Sequence, residues 1–326
     1  MSPPVSFSHI AVLGAGAWGT ALALAALTAG RKTSLWVREE DVLADIRQGR
    51  GNRFLPGVAI PKELEVTGDL AEAARADALL LAVPAQVLHG FADLLRPHLR
   101  AGQPLVICAK GIEKGTGKLV TEVAGEALPG MALAILSGPS FARDVALGLP
   151  TAVTIAAKGE LAAALQASLG SPAFRPYASD DLTGVALGGA AKNVYAIACG
   201  VVEGMGLGEN ARAALLARSF AELSRLGEAL GAKRETLMGL SGLGDLVLTA
   251  TSKSSRNFSF GVALGAGQEP GAALAEGVDT APALVARAKS ACVEMPIAEA
   301  MADLLSGALP LGEAVMRLMS RKLTVE

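Results

Sequence analysis

The chain has 326 residues and a formal net charge of -2, with 51% of residues apolar and only 4% aromatic. That length exceeds the usual single domain, so two separate cores are expected, and the near-neutral charge gives no basic footprint for nucleic acid or an anionic membrane. Three cysteines, Cys108, Cys199 and Cys292, lie far apart without a CxxC pair, so by themselves they make neither a disulfide framework nor a zinc site.

In chain order, residues 1–8 (MSPPVSFS) lack the basic start and apolar core of an export signal, and a cytoplasmic protein is expected. The run HIAVL, His9–Leu13, predicts a strand. GAGAWG then turns the chain into a helix over 20–29 that Gly30 ends. Further strands are predicted at 32–37, 78–83, 105–109, 132–136 and 152–156, with helices at 88–99 and 118–127. Such alternation implies an α/β fold with a doubly wound, mostly parallel sheet, whose ligands sit beyond the carboxyl ends of the strands.

Past about residue 180, apolar residues recur at helical spacing over 185–202, 211–227, 281–291 and 297–305, and strand-like alternation stops. The expected organisation is a Rossmann-like nucleotide-binding domain over 1–182 and an all-helical domain over 183–326. Residues 183–202 are long and apolar enough to suggest a membrane span. Lys192 and Asn193 stand at their centre, where hydrocarbon penalises them, so a buried helix of a soluble domain is expected.

In the fingerprint, Gly14 permits a tight turn, Gly16 lets backbone approach a pyrophosphate and Gly19 lets helix pack on strand. The helix N-terminus behind it offers N–H donors to the phosphates. The second strand ends in Val37-Arg38-Glu39. A cation there suits the 2′-phosphate of NADPH and an acid suits the ribose hydroxyls of NADH, so the cofactor preference stays open.

All three histidines, His9, His89 and His98, lie in the first third of the chain, so the helical domain needs another proton carrier. Lys192 is the candidate, because it interrupts the small-residue run GGAAKNVYAIA and burial favours its neutral form. Lys110-Gly111 and Ser137-Gly138-Pro139-Ser140 each follow a strand at its carboxyl end. Ser254-Ser255-Arg256-Asn257 combines hydroxyls, a guanidinium and an amide, a set suited to a phosphate dianion.

Taken in order, GAGAWGTALA, AKGIE, SGPSFARDVALGLPTAV, GGAAKNVYAI, GLGDLVLT and SRN closely resemble the bacterial NAD(P)-dependent sn-glycerol-3-phosphate dehydrogenases, from about His9 to Glu313. That resemblance implies reduction of dihydroxyacetone phosphate to sn-glycerol 3-phosphate with NADH or NADPH, for phospholipid synthesis. It implies that Lys192 exchanges the proton, that Lys110 contacts substrate and cofactor, and that Asp245 orients the lysine and the substrate, with Asn193 and Thr249 assisting. It further assigns Gly138 and Ser140 to the substrate, Ala142 to the cofactor, and Ser255, Arg256 and Asn257 to the substrate phosphate, with Arg256 also near the cofactor.

Two places depart from the family pattern. Ala17-Trp18 stands where members often carry Ser-Tyr, so backbone contacts to the cofactor are the ones carried over at Ala17 and Trp18. The family's longer connection ending VVEG is shortened here and ends Leu274-Ala275-Glu276-Gly277, which places the cofactor positions on Leu274 and Glu276. A β-hydroxyacid or 6-phosphogluconate-type dehydrogenase is the alternative enzyme, but that pattern wants an Asn four residues after the lysine, where this chain has Ala196. A cofactor-binding sensor without chemistry is the other alternative, and intact Lys192, Asp245 and Arg256 speak against it. No metal, nucleic-acid partner or integral membrane association is expected, and a homodimer is, symmetric dimers being common among such enzymes.

Overall fold

A computed structural model describes residues 6–271 and 275–320. Strand and helix alternate first, through β1 (His9–Leu13), α1 (Ala17–Thr28), β2 (Lys32–Trp36), α2 (Glu40–Arg47), β3 (Glu65–Thr67), α3 (Leu70–Ala73) and β4 (Ala78–Leu81). The pattern continues through α4 (Leu88–Leu95), β5 (Pro104–Ile107), α5 (Val120–Ala127), β6 (Ala132–Ser137), α6 (Ala142–Ala146), β7 (Thr151–Ala157), α7 (Leu161–Leu169) and β8 (Phe174–Ser179).

These strands form one eight-stranded sheet in the order β3-β2-β1-β4-β5-β6-β7-β8. β1 to β6 pair parallel with one another, β7 pairs antiparallel with β6, and β8 pairs parallel with β7. The α/β class and the mostly parallel sheet are as expected. Ile10 and Leu13 of β1 and Leu79, Leu80 and Leu81 of β4 are wholly buried, as in a sheet covered on both faces. Each such side chain contributes roughly 1.5–3 kcal/mol of hydrophobic stabilisation. The strand order reverses between β1 and β4, the switch point at which such sheets bind ligands, and the GAGAWG turn leaves β1 there.

Two strands escape the periodicity. β3 has only three residues, too few for a pattern. β8 (FRPYAS) contains Pro176, which argues against a central strand; β8 lies at the sheet edge, where a missing N–H is tolerated.

After β8 every described element is helical: α8 (Leu182–Gly204), α9 (Gly208–Ala229), α10 (Arg234–Met238), α11 (Asp245–Thr251), α12 (Arg256–Gly265), α13 (Glu276–Ser290), α14 (Pro296–Leu305) and α15 (Leu311–Met319). The chain divides into two compact units. A sheet unit runs to Lys110 and resumes over Leu119–Ala186, while a helical unit takes Gly111–Lys118 and continues from Leu187. Asp181 starts α8 by accepting the Gly184 N–H at 2.7 Å.

Among the described residues, α8 is the one helix long and apolar enough to cross a membrane, and 94% of its apolar window is buried inside the fold. Close helix packing accounts for that composition. A Cβ at Gly200 would lie 2.1 Å from the Phe258 carbonyl oxygen, and one at Gly261 would lie 2.1 Å from that of Ile197. α8 and α12 therefore touch backbone to backbone, which only glycine allows at the crossing.

Candidate functional site

In the sheet unit, Gly14 takes a φ of +114° to turn out of β1, and a Cβ on Gly19 would sit 1.9 Å from the Gly14 carbonyl oxygen. Both glycines are required by the chain's own packing. Gly16 is not: its φ of -64° suits any residue, and among the described residues nothing lies within 4 Å of a Cβ placed there. Its bare backbone is the feature a pyrophosphate needs. Ala17, Trp18 and Gly19 form the first turn of α1, which has no side-chain cap and no acidic residue, so its N–H groups suit an anion.

Asn52, which no sequence signal singled out, holds this turn. Its buried amide donates to the Ala15 carbonyl at 2.8 Å and to Thr20 Oγ1 at 2.9 Å. Past β2, the exposed guanidinium of Arg38 donates to Glu39 Oε1 through Nε at 3.0 Å and Nη2 at 2.7 Å. The two candidate determinants of cofactor choice thus hold each other. Lys110 follows β5, and its Nζ donates to the Gly138 carbonyl at 3.2 Å, an oxygen that also accepts from Ser140 Oγ at 2.9 Å. Ala142 begins α6, which packs on α1.

In the helical unit, Lys192 on α8 is 7% exposed and Asp245, the first residue of α11, is 1% exposed. Lys192 Nζ donates to Asp245 Oδ1 at 2.5 Å and to Thr249 Oγ1 at 2.9 Å, and Thr249 donates to Asp245 Oδ1 at 3.2 Å. A π turn over Leu240–Gly244 delivers Asp245 to this position. Such wide turns re-aim the residue that follows, and they cluster at functional sites. A buried ammonium on a buried carboxylate, in a mostly apolar helix rich in Gly and Ala, has the chemistry that proton exchange or charge stabilisation needs.

Asn193, 3% exposed, joins three helices. It accepts from Asn257 Nδ2 at 2.9 Å and donates to Glu276 Oε2 at 3.3 Å, while Asn257 Oδ1 accepts the Gly277 N–H at 2.9 Å. Sequence placed Asn257 in a phosphate clamp; the structure shows its amide tying α12 to α8 and α13. Ser255 caps α12 by accepting the Phe258 N–H at 3.2 Å, and Arg256 begins that helix with an exposed side chain. Glu276 begins α13. Leu274 lies outside the described residues.

The chain thus carries a dinucleotide-type turn at a switch point, a buried lysine-aspartate pair and a helix N-terminus bearing Ser255 and Arg256. Comparison with known proteins identifies the family. Residues 9–163 match the family model for the N-terminus of NAD-dependent glycerol-3-phosphate dehydrogenase, and residues 181–316 match that for its C-terminus. The chain is 55% identical to glycerol-3-phosphate dehydrogenase (NAD(P)+) of Afipia carboxidovorans over 322 residues, covering 98% of this chain and 99% of that one. It is 54% identical to the protein of the same name in Parvibaculum lavamentivorans, over 97% of this chain and 98% of that one. The crystal structure of glycerol-3-phosphate dehydrogenase from Coxiella burnetii is similar with a TM-score of 0.91 at 38% identity, covering 98% of this chain and 100% of that one. The chain belongs to the NAD-dependent glycerol-3-phosphate dehydrogenase family.

Proposed function

We propose that this chain interconverts dihydroxyacetone phosphate and sn-glycerol 3-phosphate with NADH or NADPH, and that the buried Lys192–Asp245 pair is its proton-exchange group. The observation that carries the chemistry is the 2.5 Å contact between Lys192 Nζ and Asp245 Oδ1, seated on α8 and α11 away from bulk water. When bound, NADH or NADPH supplies a hydride to the carbonyl carbon.

Every other task falls to the chain. The fingerprint turn binds the pyrophosphate through Gly16 and the N–H groups of Ala17, Trp18 and Gly19. Arg38, Ala142, Leu274 and Glu276 complete the cofactor contacts, Arg38 with the adenosine ribose or its 2′-phosphate. Ser255, Arg256 and Asn257 take the substrate phosphate, with the N-terminus of α12 adding its dipole. Lys192 gives its proton to the oxygen as the carbonyl is reduced, and Lys110 stabilises the negative charge developing there. Asp245 and Thr249 fix the ammonium, and Gly138 and Ser140 border the substrate.

The product supplies glycerophospholipid synthesis, and the enzyme acts in the cytoplasm as a homodimer without integral membrane association. Burial of α8, the only span-length helix among the described residues, supports the last point. Oxidation of NADH and NADPH followed in parallel with dihydroxyacetone phosphate tests the assignment, with oxidation by a 2-keto acid and reduction of NAD+ and NADP+ by 6-phosphogluconate as controls. Turnover with dihydroxyacetone phosphate alone is expected; comparable turnover with either control would overturn the substrate.

A further inference from the structure

A second buried acid lies in the helical unit, away from the groups assigned above. Glu222 on α9 is 2% exposed, and Tyr195, three residues beyond Lys192 on α8, is 0% exposed. Glu222 Oε1 accepts the Ile297 N–H at 2.7 Å, and Oε2 accepts the Ala298 N–H at 3.2 Å and the Tyr195 hydroxyl at 3.3 Å. Ile297 and Ala298 belong to the first turn of α14, which opens with Pro296 and has no side-chain cap from Met295.

One carboxylate therefore serves two ends. It caps α14 from a different helix, meeting two N–H groups and the positive end of the helix dipole. It also takes the hydroxyl of a tyrosine one helical turn from Lys192, at a spacing that makes the two positions neighbours on the helix surface. The charged and titratable groups facing it are Tyr195 from α8 and Arg225 on its own helix, while α14 presents backbone N–H groups. Burial pushes the carboxyl up to about 7, and these hydrogen bonds and Arg225 act against that rise.

We propose that Glu222 is a positioning residue for the reaction: through Tyr195 it fixes the rotation and register of α8, and so the aim of the Lys192 ammonium toward the reacting oxygen. This rests on the reading of Lys192 as the proton-exchange group. α11, which carries Asp245, packs against α9, so Glu222 anchors the helix that also backs the carboxylate end of the pair. Misplacing a catalytic group by a fraction of an ångström slows turnover without weakening substrate binding when the binding groups lie elsewhere. Here the proposed phosphate contacts are on α12.

The test uses the full chain with Glu222→Gln and Tyr195→Phe, each alone and in a Lys192→Ala background. It reads kcat, both KM values and thermal unfolding. Glu222→Gln should lower kcat about tenfold with KM for dihydroxyacetone phosphate and NADPH within about twofold. Tyr195→Phe, which removes one hydroxyl, should shift kcat the same way by less. In the Lys192→Ala background Glu222→Gln should cause no further loss, since two residues acting through one step are not additive. Unchanged kcat in folded Glu222→Gln, an equal loss in the Lys192→Ala background, or KM rising in step with the loss overturns the proposal. Near-normal turnover in Lys192→Ala alone overturns the reading of Lys192 and this proposal with it, whereas lost turnover there with normal Glu222→Gln overturns this proposal only.

Discussion

Lys192 Nζ lies 2.5 Å from Asp245 Oδ1, with the two side chains only 9% and 1% exposed, so neither charge is compensated by water. Each ion depends on the other, and removing one partner of a buried pair costs about 3–5 kcal/mol. Lys192→Ala is expected to lower turnover by at least about 100-fold, the range of general acid catalysis, and to lower the unfolding midpoint while leaving NADPH binding intact. Lys192→Arg separates the two roles: the pair survives, but a guanidinium stays charged throughout the working pH range and does not release its proton. Turnover should fall nearly as far in Lys192→Arg with stability largely kept. Near-normal steady-state rates in either variant would remove the proton-exchange role.

Arg256 stands exposed at the start of α12, next to the capping Ser255. A guanidinium there, with the helix dipole behind it, suits a dianion. Arg256→Ala should raise KM for dihydroxyacetone phosphate by about 10–100-fold, the equivalent of one or two charge-assisted hydrogen bonds. Dihydroxyacetone without its phosphate is the control, and an equal effect on that substrate would contradict a phosphate contact.

The glycines of the fingerprint separate folding from binding. Gly19→Ala places a methyl 1.9 Å from where the Gly14 carbonyl oxygen lies, so destabilisation of roughly 1–3 kcal/mol is expected from overpacking. Gly16→Ala meets open space at an ordinary φ of -64°, so the unfolding midpoint should stay put. Its effect should appear as a roughly tenfold rise in KM for NADH and NADPH, about 1.4 kcal/mol of lost pyrophosphate approach. Equal nucleotide affinity in Gly16→Ala and the parent would place the pyrophosphate elsewhere.

Much of this architecture is legible before any coordinates. HIAVL reads as a strand because central parallel strands are apolar throughout, and the switch from strand to helical spacing near residue 180 marks the change to the helical region. Lys192 stands out because ammonium is costly among Gly and Ala. Other features leave no local trace. β3 is three residues long, and Pro176 hides β8. Asn52 supports the fingerprint turn across 37 residues of sequence, and Glu222 reaches Ile297 across 75. Such partners are chosen by tertiary packing, and one sequence carries no periodic signal for them. Asn257 shows the same limit, since its composition suggested an anion contact while its bonds to Asn193 and Gly277 became visible only in the fold.

Glu222 also makes a thermodynamic prediction. Burial raises its carboxyl from 4.5 to about 7 in the folded chain, against the hydrogen bonds from Ile297, Ala298 and Tyr195 that favour the anion. Between those two values the folded chain holds a proton that the unfolded chain has released. The resulting stability is fully present below about pH 4.5 and is lost as pH rises through about 7, on the order of 3 kcal/mol in all. Glu222→Gln keeps the volume and removes the titration. The unfolding midpoint of the parent minus that of Glu222→Gln should therefore fall between pH 5 and pH 8, by several degrees if a single cooperative transition is followed. A difference that stays constant across this range, or that grows with pH, would mean that Glu222 is ionised throughout and that its capping of α14 offsets burial completely.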